Sequence, residues 1–319
     1  MMFETIDFSD QLQSKIREHS IDDASISFLR YSVNSNYKAT IGGQSYFARV
    51  YRPKKESINS ILAEHDYLTH LKKCGVSVSC PISLINDSTV AKLNLNSDEY
   101  YFSFFEYIEG EHIRSEFWDI DFISSWGSLL GQIHNASKSY LHKNTINRHA
   151  WDELPWIKSF SPSDLNLEKL KLGILQKEWD DVFIFLNKLP KDSEYFGLIH
   201  YDFHPGNFIK SENGLTAIDF DDCCKGFYGW DFAMPLHRMS KGHMGTIEIE
   251  TLDSFIKAYK KETSLPENIE NNLRTFERIR HIFMLAWLNK RKAEQKWNQI
   301  FPRYLDTHIK YLLGNTSLF

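Results

Sequence analysis

The sequence predicts an α+β protein of two lobes, in which a small antiparallel sheet with one helix precedes a larger, mainly helical part. Three observations support this prediction. The length of 319 residues exceeds the usual size of one compact core. The first third of the chain alternates β-prone stretches with turn signals, whereas stretches with helical periodicity dominate after Gly110. The hydrophobic share of 42% and only nine prolines indicate a globular chain.

The first lobe opens with three β-prone stretches, ISFLRYSV, NYKATI and SYFARVYR. Turn signals at Asn34–Asn36 and Gly42–Gly43 separate them, and a Gly-Gly pair favours a tight hairpin turn. A helix is predicted over Ser57–Lys73, because apolar residues recur there with an approximately helical period. Two further strands are predicted, over Thr89–Leu95 and Tyr100–Tyr107.

Helical patterns fill most of the second lobe, and one strand-and-loop segment near Gly197–Phe232 interrupts them. The boundary between the lobes is predicted near Tyr107–Gly110, which divides the chain into residues 1–107 and 108–319. A short linker at this point would let the lobes close over a cleft. The predicted helices are Phe117–His134, Leu167–Leu189, Ile247–Glu262 and Ile269–Arg291.

Charge and cysteine content narrow the class of protein. The formal net charge is −5 and the basic residues are dispersed, which argues against a nucleic-acid partner and against a membrane-surface helix. The N-terminal residues lack the pattern of a secretory signal, and no apolar run approaches the roughly 20 residues of a spanning helix. Four cysteines without zinc-binding spacing favour a reducing, cytoplasmic location. Monomer and homodimer both remain open.

The stretch from residue 198 to 222 carries the clearest chemical pattern. It contains the spacing His200-x-Asp202-x4-Asn207 and, after a turn at Asn213–Gly214, an apolar segment that leads into Asp219. The apolar pieces on either side of the turn are predicted to pair as a small hairpin. This pairing would bring Asn207 and Asp219 to the same end of the hairpin.

Phosphoryl transfer suits this set of side chains. Its catalysis consists mainly of in-line positioning and neutralisation of charge, and Mg²⁺ usually takes one or two oxygen ligands from the protein. Asn207 and Asp219 supply that number, while Asp202 would orient an acceptor hydroxyl and take its proton late in the reaction. Asp221 and Asp222 remain open between a second metal or substrate site and a solvated or helix-capping role.

This stretch resembles the phosphotransferase family that contains aminoglycoside kinases, choline kinases and bacterial homoserine kinases. In that family His-x-Asp-x4-Asn is followed further along the chain by Ile-Asp-aromatic, which here is Ile218-Asp219-Phe220. The resemblance implies a protein-kinase-like bilobal fold, ATP or alternatively GTP as phosphoryl donor, Mg²⁺ as metal, and a small-molecule hydroxyl as acceptor. It assigns the catalytic role to Asp202 and the metal to Asn207 and Asp219.

The resemblance extends to the nucleotide-binding residues of the first lobe. SYFARVYRP looks like the third strand of the family, with Arg49 in place of its phosphate-contacting Lys and Glu64 as the ion-pair partner on the next helix. The loop over the phosphates has no glycine, and Asn34 is expected to contact them, with Asn36 as the alternative.

SFFEYIEGE resembles the hinge of the family, which implies that backbone groups of Glu106 and Ile108 meet the adenine edge. Two residues near the catalytic loop are interpreted as structural. His200 would hydrogen-bond within the loop, and Asp231 would be either a helix N-cap or a buried anchor for the loop.

Two other functions remain open. The acceptor could be a protein serine or threonine, as in the bacterial stress kinases that this family also resembles. A nucleotide-binding regulator without turnover is conceivable because of Arg49 and the glycine-free loop, although the complete set Asp202, Asn207 and Asp219 argues against it. The identity of a small-molecule acceptor is not predicted.

Overall fold

An antiparallel sheet forms the first third of the chain. The computed structural model describes residues 7–18, 23–31, 34–52, 57–83, 85, 87–96, 98–115, 118–140, 148–240, 247–292 and 301–314. The elements of the first part are α1 Ser9–Arg17, β1 Ala24–Tyr31, β2 Ser35–Ile41, β3 Gln44–Val50, α2 Ile58–Lys73, β4 Pro81–Ile82, β5 Ala91–Leu95 and β6 Asp98–Glu106. The strand order is β1-β2-β3-β6-β4, and β5 also pairs with β6.

The predicted strands and the predicted helix of this part are confirmed. β2 and β3 form a hairpin whose turn residues Gly42 and Gly43 have φ values of 56° and 79°, a left-handed conformation that glycine adopts at little cost. α2 begins after Ser57, whose side chain accepts a hydrogen bond from the Ser60 N–H at 3.1 Å. The sheet thereby places β3 beside β6, and α2 follows β3 along the chain.

The sheet lobe contains two helices among its described residues, not one, because α1 precedes β1. Leu12 and Ile16 are buried and stand four residues apart, so one face of α1 covers the sheet. Phe8 packs edge-on against Tyr100 with ring centroids 4.7 Å apart. Two apolar positions in nine residues are too weak a periodic signal to predict such a short helix.

Helices dominate the second part of the chain, as predicted. The α-helices and β-strands described in this part are α3 Ile120–Lys138, α4 Pro155–Lys158, α5 Lys169–Lys188, β7 Phe196–Ile199, β8 Phe208–Ser211, β9 Gly214–Ala217, β10 Cys224–Phe227, α6 Gly229–Met239, α7 Ile249–Glu262, α8 Glu267–Glu270, α9 Leu273–Arg291 and α10 Phe301–Gly314. Phe117, the predicted start of α3, lies outside the described residues. The predicted helix Ile269–Arg291 is divided at Asn271–Asn272 into α8 and α9. These helices bury one large apolar core.

The predicted hairpin of the second part is confirmed as β8 and β9, which pair from Phe208 opposite Ala217 to Ser211 opposite Gly214. The chain that leaves β6 is joined to this hairpin, because Glu111 and Lys210 exchange backbone hydrogen bonds of 3.0 and 2.9 Å. A Cβ atom on Gly110 would lie 2.2 Å from the Lys210 carbonyl oxygen, so only glycine fits there. The segment after β6 is thereby fixed to the strands that lead into the predicted catalytic residues. Whether the lobe boundary lies between residues 107 and 108 stays a prediction.

Within the ranges given above, no helix combines the length and the apolar character that crossing a membrane requires.

Candidate active site

The backbone of the predicted catalytic loop is held by the buried carboxylate of Asp231. Its two oxygens accept hydrogen bonds from the backbone N–H groups of His200 and Tyr201 at 2.8 and 2.7 Å. His134 on α3 contacts the same carboxylate at 3.2 Å. Tyr201 has a φ of 75°, a strained conformation for a bulky residue, and these bonds hold it. Of the two interpretations of Asp231, the loop anchor agrees with the structure, since Tyr228 occupies the N-cap position of α6.

His200 joins the two loops that carry the predicted catalytic and metal-binding residues. Its ring is fully buried, and Nε2 lies 3.1 Å from the carbonyl oxygen of Ile218, the residue before Asp219. Burial lowers the pKa of His200, which keeps the imidazole neutral near pH 7. With a neutral ring that donates to a carbonyl, His200 positions the loops and does not carry a proton to the acceptor.

Asp202, the predicted catalytic residue, lies at the surface of the cleft with a side chain that is 37% exposed. His204 Nδ1 accepts the Gly206 N–H at 2.9 Å, so its Nε2 carries the proton and faces Asp202 at 3.3 Å. Arg280 on α9 lies 3.5 Å from the other carboxylate oxygen. Burial acts to raise the pKa of Asp202, but the hydrogen bond from His204 and the positive charge of Arg280 outweigh it and lower the pKa. The carboxylate is therefore ionised and oriented near neutral pH.

Asn207 and Asp219 lie together, as the hairpin prediction requires. The Asn207 carbonyl accepts the Ile218 N–H at 2.9 Å, and its side-chain Nδ2 donates to the Asp202 carbonyl at 2.9 Å. These bonds fix the orientation of the Asn207 amide and leave Oδ1 as the oxygen available to a metal. Asp219 has a φ of 67°, a left-handed conformation that Asp tolerates better than most residues. One amide oxygen and one carboxylate fit the oxygen preference of Mg²⁺.

Arg49 on β3 is the central cation of the site. It is 4% exposed and donates to Glu64 on α2 at 2.9 Å and to Asp219 at 2.8 Å, so the predicted ion pair with Glu64 is present. Arg30 on β1 adds a second positive charge 3.7 Å from Asp219. Burial and the neighbouring Asp221 nevertheless raise the pKa of Asp219 to about 7, against the opposing charges of Arg49 and Arg30. The carboxylate predicted to bind the metal therefore has a pKa close to physiological pH.

Asn34 and Asn36 are both buried beside this site. The Asn34 amide donates to Asp221 at 3.0 Å and accepts the Arg52 N–H at 3.2 Å, which ties the loop between β1 and β2 to the segment after Asp219. Asn36 Nδ2 lies 3.4 Å from the Asn34 carbonyl. Neither asparagine lines the cavity described below, and a contact of either with phosphates stays a prediction.

A cavity of about 280 Å³ lies between the sheet and the β8–β9 hairpin, beside Arg49 and Asp219. Both predicted hinge residues, Glu106 and Ile108, line it. The Glu106 N–H donates to the Cys80 carbonyl at 2.9 Å, and its carbonyl accepts from the Ser79 hydroxyl at 2.8 Å. Apolar side chains form much of the remaining wall: Leu29, Phe47, Leu68, Phe105, Ile209, Ile218 and Phe220. Both Glu106 backbone groups are therefore bonded within the protein, and a contact of Glu106 or Ile108 with adenine stays a prediction. An apolar slot with charges at its end suits a nucleotide base and its phosphates.

Two arginines of the site are absent from the sequence predictions. Arg280 faces Asp202 from α9, and Arg148 is buried under the segment after Asp219. Arg148 donates to the carbonyls of Cys223, at 2.6 Å, and Asp221, and to the Ser60 hydroxyl on α2 at 3.0 Å. Neither arginine belongs to a local motif, so only the tertiary structure identifies them.

The two-lobed fold, the cavity between the lobes and the convergent residues Asp202, Asn207 and Asp219 beside a buried cation define a kinase-type phosphotransferase. The chain belongs to the phosphotransferase enzyme family, whose model matches residues 30–267. The predicted family, the protein-kinase-like fold and the assignment as an enzyme that phosphorylates a hydroxyl acceptor are confirmed.

Curated relatives include both small-molecule kinases and stress kinases. The chain is 25% identical to amicoumacin kinase of Bacillus subtilis (strain 168) over 275 residues, which cover 83% of this chain and 80% of the relative. It is also 25% identical to stress response kinase A of Escherichia coli (strain K12) over 314 residues, 97% of this chain and 90% of the relative.

Solved structures share the fold over nearly the whole chain. An amicoumacin kinase in complex with AMP-PNP and Ca²⁺ superposes with a TM-score of 0.75 at 21% identity, covering 90% of this chain and 88% of that chain. A microcompartment-associated aminopropanol kinase superposes with a TM-score of 0.77 at 20% identity, covering 95% and 98%.

Proposed function

We propose that this protein transfers the γ-phosphoryl group of ATP, bound with Mg²⁺, to a hydroxyl group of a small molecule. One observation carries the proposal: hydrogen bonds unite the loops of Asp202, Asn207 and Asp219 beside the cavity that Arg49 enters.

All four cysteines are free thiols, which supports a reducing, cytoplasmic setting as part of the proposal. The two lobes, residues 1–107 and 108–319, would move relative to each other around the nucleotide.

Each residue has a separate role in the proposed reaction. Glu64 holds the Arg49 guanidinium, which would bind phosphate oxygens of the nucleotide. Asn207 Oδ1 and the Asp219 carboxylate would hold the metal, which when bound neutralises charge on the transferring group. The ionised Asp202 would accept the hydrogen bond of the acceptor hydroxyl, align its oxygen with the γ-phosphorus and take the proton as the new P–O bond forms, while the bond from the γ-phosphorus to the β,γ-bridging oxygen breaks and ADP leaves.

The acceptor is proposed to be a small hydroxyl compound, such as an aminoglycoside, an amino alcohol or a homoserine-like molecule. The relatives support this class, since two of them carry the names amicoumacin kinase and aminopropanol kinase. A protein serine or threonine is the second candidate, because relatives named stress response kinase A match 97% of the chain. A regulator without turnover has less support, because Asp202, Asn207 and Asp219 are all present at one site.

A direct assay tests the proposal. Purified protein is incubated with Mg²⁺ and γ-³²P-labelled ATP, with GTP in parallel, and with amicoumacin, 1-amino-2-propanol, spectinomycin, other aminoglycosides or homoserine. We expect label on one class of small molecule. Label on the protein itself or on a protein substrate alone would favour the stress-kinase function instead. Nucleotide binding with no phosphorylated product and no hydrolysis would support the regulator and contradict the proposal.

Replacing Asp219 with Ala is expected to abolish the dependence of nucleotide affinity on Mg²⁺. The change removes the carboxylate ligand while the nucleotide cavity keeps its other walls. Titration calorimetry with AMP-PNP, with and without Mg²⁺, measures the effect. The exposed-carboxylate variant Asp180→Ala is the matched control and should retain the wild-type Mg²⁺ effect. If Mg²⁺ changed the nucleotide affinity of Asp219→Ala as much as that of wild type, Asp219 would not be a ligand of the metal.

The affinity for Mg²⁺ is expected to fall as the pH decreases from 8 to 6. The pKa of Asp219 is raised to about 7 in the free protein. Below that pH the metal must displace a proton, so the apparent affinity should fall by about tenfold across this interval. The same shift means that Asp219 stabilises the metal-free fold below pH 3.8, its usual pKa, and loses this contribution as the pH rises through 7. Mg²⁺ titrations at pH 6, 7 and 8 measure the affinity, and a pH-independent value would contradict the prediction.

A further inference from the structure

Three histidines and a glutamate form a cluster between α6, α9 and α10, in which all but the half-buried His237 are buried. His237 lies near the end of α6, Glu277 and His281 stand one turn apart on α9, and His308 lies on α10. Glu277 and His281 are 0% and 1% exposed. One ligand atom from each of His237, Glu277 and His281 lies within 4.8 Å of the other two. None of these four residues has a role in the proposed phosphoryl transfer.

Two buried atoms of these residues have no partner within hydrogen-bond geometry in the described part of the chain, although the Tyr311 hydroxyl interacts with the Glu277 carboxylate. They are Oε1 of Glu277 and Nε2 of His281, and both are buried. The other carboxylate oxygen of Glu277 accepts from Arg274 at 2.7 Å, and the other ring nitrogen of His281 lies 2.8 Å from His308 Nδ1. Buried polar atoms are nearly always satisfied by protein, water or an ion, so the unsatisfied Nε2 of His281 points to a bound ligand.

The contact between His281 and His308 orients the His281 ring for binding a metal ion. The two Nδ1 atoms lie 2.8 Å apart, so one of them donates a hydrogen bond and the other accepts it. When His281 donates through Nδ1, its Nε2 carries a lone pair. This arrangement, in which the second ring nitrogen is bound by a neighbouring group, is the usual one for a metal-ligating histidine. The Tyr311 ring stacks on His281 at 3.7 Å and fixes its plane.

We propose that His237, Glu277 and His281 bind a divalent transition-metal ion, with Zn²⁺ as the best match, and that this ion holds α6 against α9. Two imidazoles and one carboxylate form a known protein ligand set for zinc. At metal–ligand distances of about 2.1 Å, tetrahedral ligand atoms lie about 3.4 Å apart, so modest side-chain rotations would complete the site. His308 would be a positioning residue that acts through His281.

The arginines near the cluster are each paired with a carboxylate, although the charges of Arg278 and Arg280 still act on the His281 ring. Arg274 contacts Glu277 itself, Arg278 lies 2.6 Å from Glu178, and Arg280 lies 3.5 Å from Asp202. The carboxylate of Glu277 brings a negative charge to the metal, and the two imidazoles are neutral ligands. The chemistry therefore favours a borderline-soft ion such as Zn²⁺ over Mg²⁺, which prefers oxygen ligands.

The test is a zinc titration of the full chain after metal removal with a chelator. Zn²⁺ is titrated in competition with a chromophoric chelator, and the Asp219→Ala background removes binding at the proposed catalytic metal site. We expect one tight site per chain in this background. Glu277→Gln and His281→Gln should each weaken it at least about 100-fold, and His308→Phe about 10- to 100-fold. His149→Ala, at an exposed histidine, is the matched control and should leave the site unchanged.

Thermal unfolding provides a second readout that does not depend on activity. Zn²⁺ should raise the Tm of the Asp219→Ala protein, and Glu277→Gln should remove this increase. Glu277→Gln preserves the volume of the side chain and keeps an oxygen that can accept the hydrogen bond from Arg274. This variant therefore tests zinc binding even when His281→Gln fails to fold. Failure of the Asp219→Ala protein to bind Zn²⁺ tightly, or equal binding by the Glu277→Gln protein, would overturn the proposal. Loss or survival of phosphoryl transfer has no bearing on either result.

Discussion

Replacing Asp202 with Asn is expected to lower kcat by about 10²- to 10⁴-fold while nucleotide affinity stays within about twofold of wild type. The amide keeps the shape of the side chain but cannot take the acceptor proton. It also loses the charge that His204 and Arg280 stabilise. Asp202 does not line the nucleotide cavity, so nucleotide binding has no reason to change.

Steady-state kinetics with the acceptor found in the phosphorylation screen measure kcat, and calorimetry with AMP-PNP and Mg²⁺ measures nucleotide affinity. Asp180→Asn makes the same chemical change at an exposed position on α5 and should leave both quantities unaltered. A variant that loses nucleotide affinity but retains kcat would show that Asp202 binds the donor, which would reverse its proposed role.

Replacing Asp231 with Ala is expected to destabilise the fold by about 2–5 kcal/mol, a large effect for a single residue. The carboxylate accepts the backbone N–H groups of His200 and Tyr201, and both lose their partner in the variant. The strained backbone of Tyr201 also loses the bond that holds it. The imidazole of His134 loses its contact as well.

Urea unfolding followed by circular dichroism measures this loss as a lower midpoint at an unchanged slope. Asp231→Asn, which keeps one acceptor oxygen, should fall between Asp231→Ala and wild type. Asp180→Ala, at a solvent-exposed carboxylate, should remain within about 0.5 kcal/mol of wild type. A midpoint for Asp231→Ala equal to that of Asp180→Ala would show that the loop is held by other contacts.

The features that could be predicted from sequence are those with a local signal. The alternation of apolar residues in the strands, the Gly42–Gly43 turn and the helical period of α2 are each visible within a short stretch of sequence. These local signals are sufficient to predict the sheet lobe. The spacing of Asp202 and Asn207, and the apolar approach to Asp219, likewise lie within one short stretch. Arg49 and Glu64 required the resemblance to a family, because only the fold shows that their elements are adjacent.

The unpredicted features depend on contacts between distant parts of the chain. Arg148 and Ser60 stand 88 positions apart, and Arg280 and Asp202 stand 78 positions apart. β7 and β10 are four residues long and contain glycine, so they carry almost no strand signal, yet they pair. The loop-anchoring role of Asp231 remained one of two interpretations, since an N-cap and an anchor look alike in sequence.

The position of Arg148 also determines how the two lobes can move. Its guanidinium joins Ser60, at the start of α2, to the carbonyls that follow Asp219. A sliding displacement of the sheet lobe would break these buried bonds together with the bond between Arg49 on β3 and Asp219. We therefore expect the cleft to open by a rotation about an axis near Ser60 and Arg148. We expect the nucleotide to enter by a tilt of the lobes, during which Ser60 and the carbonyls that follow Asp219 keep their contacts with Arg148.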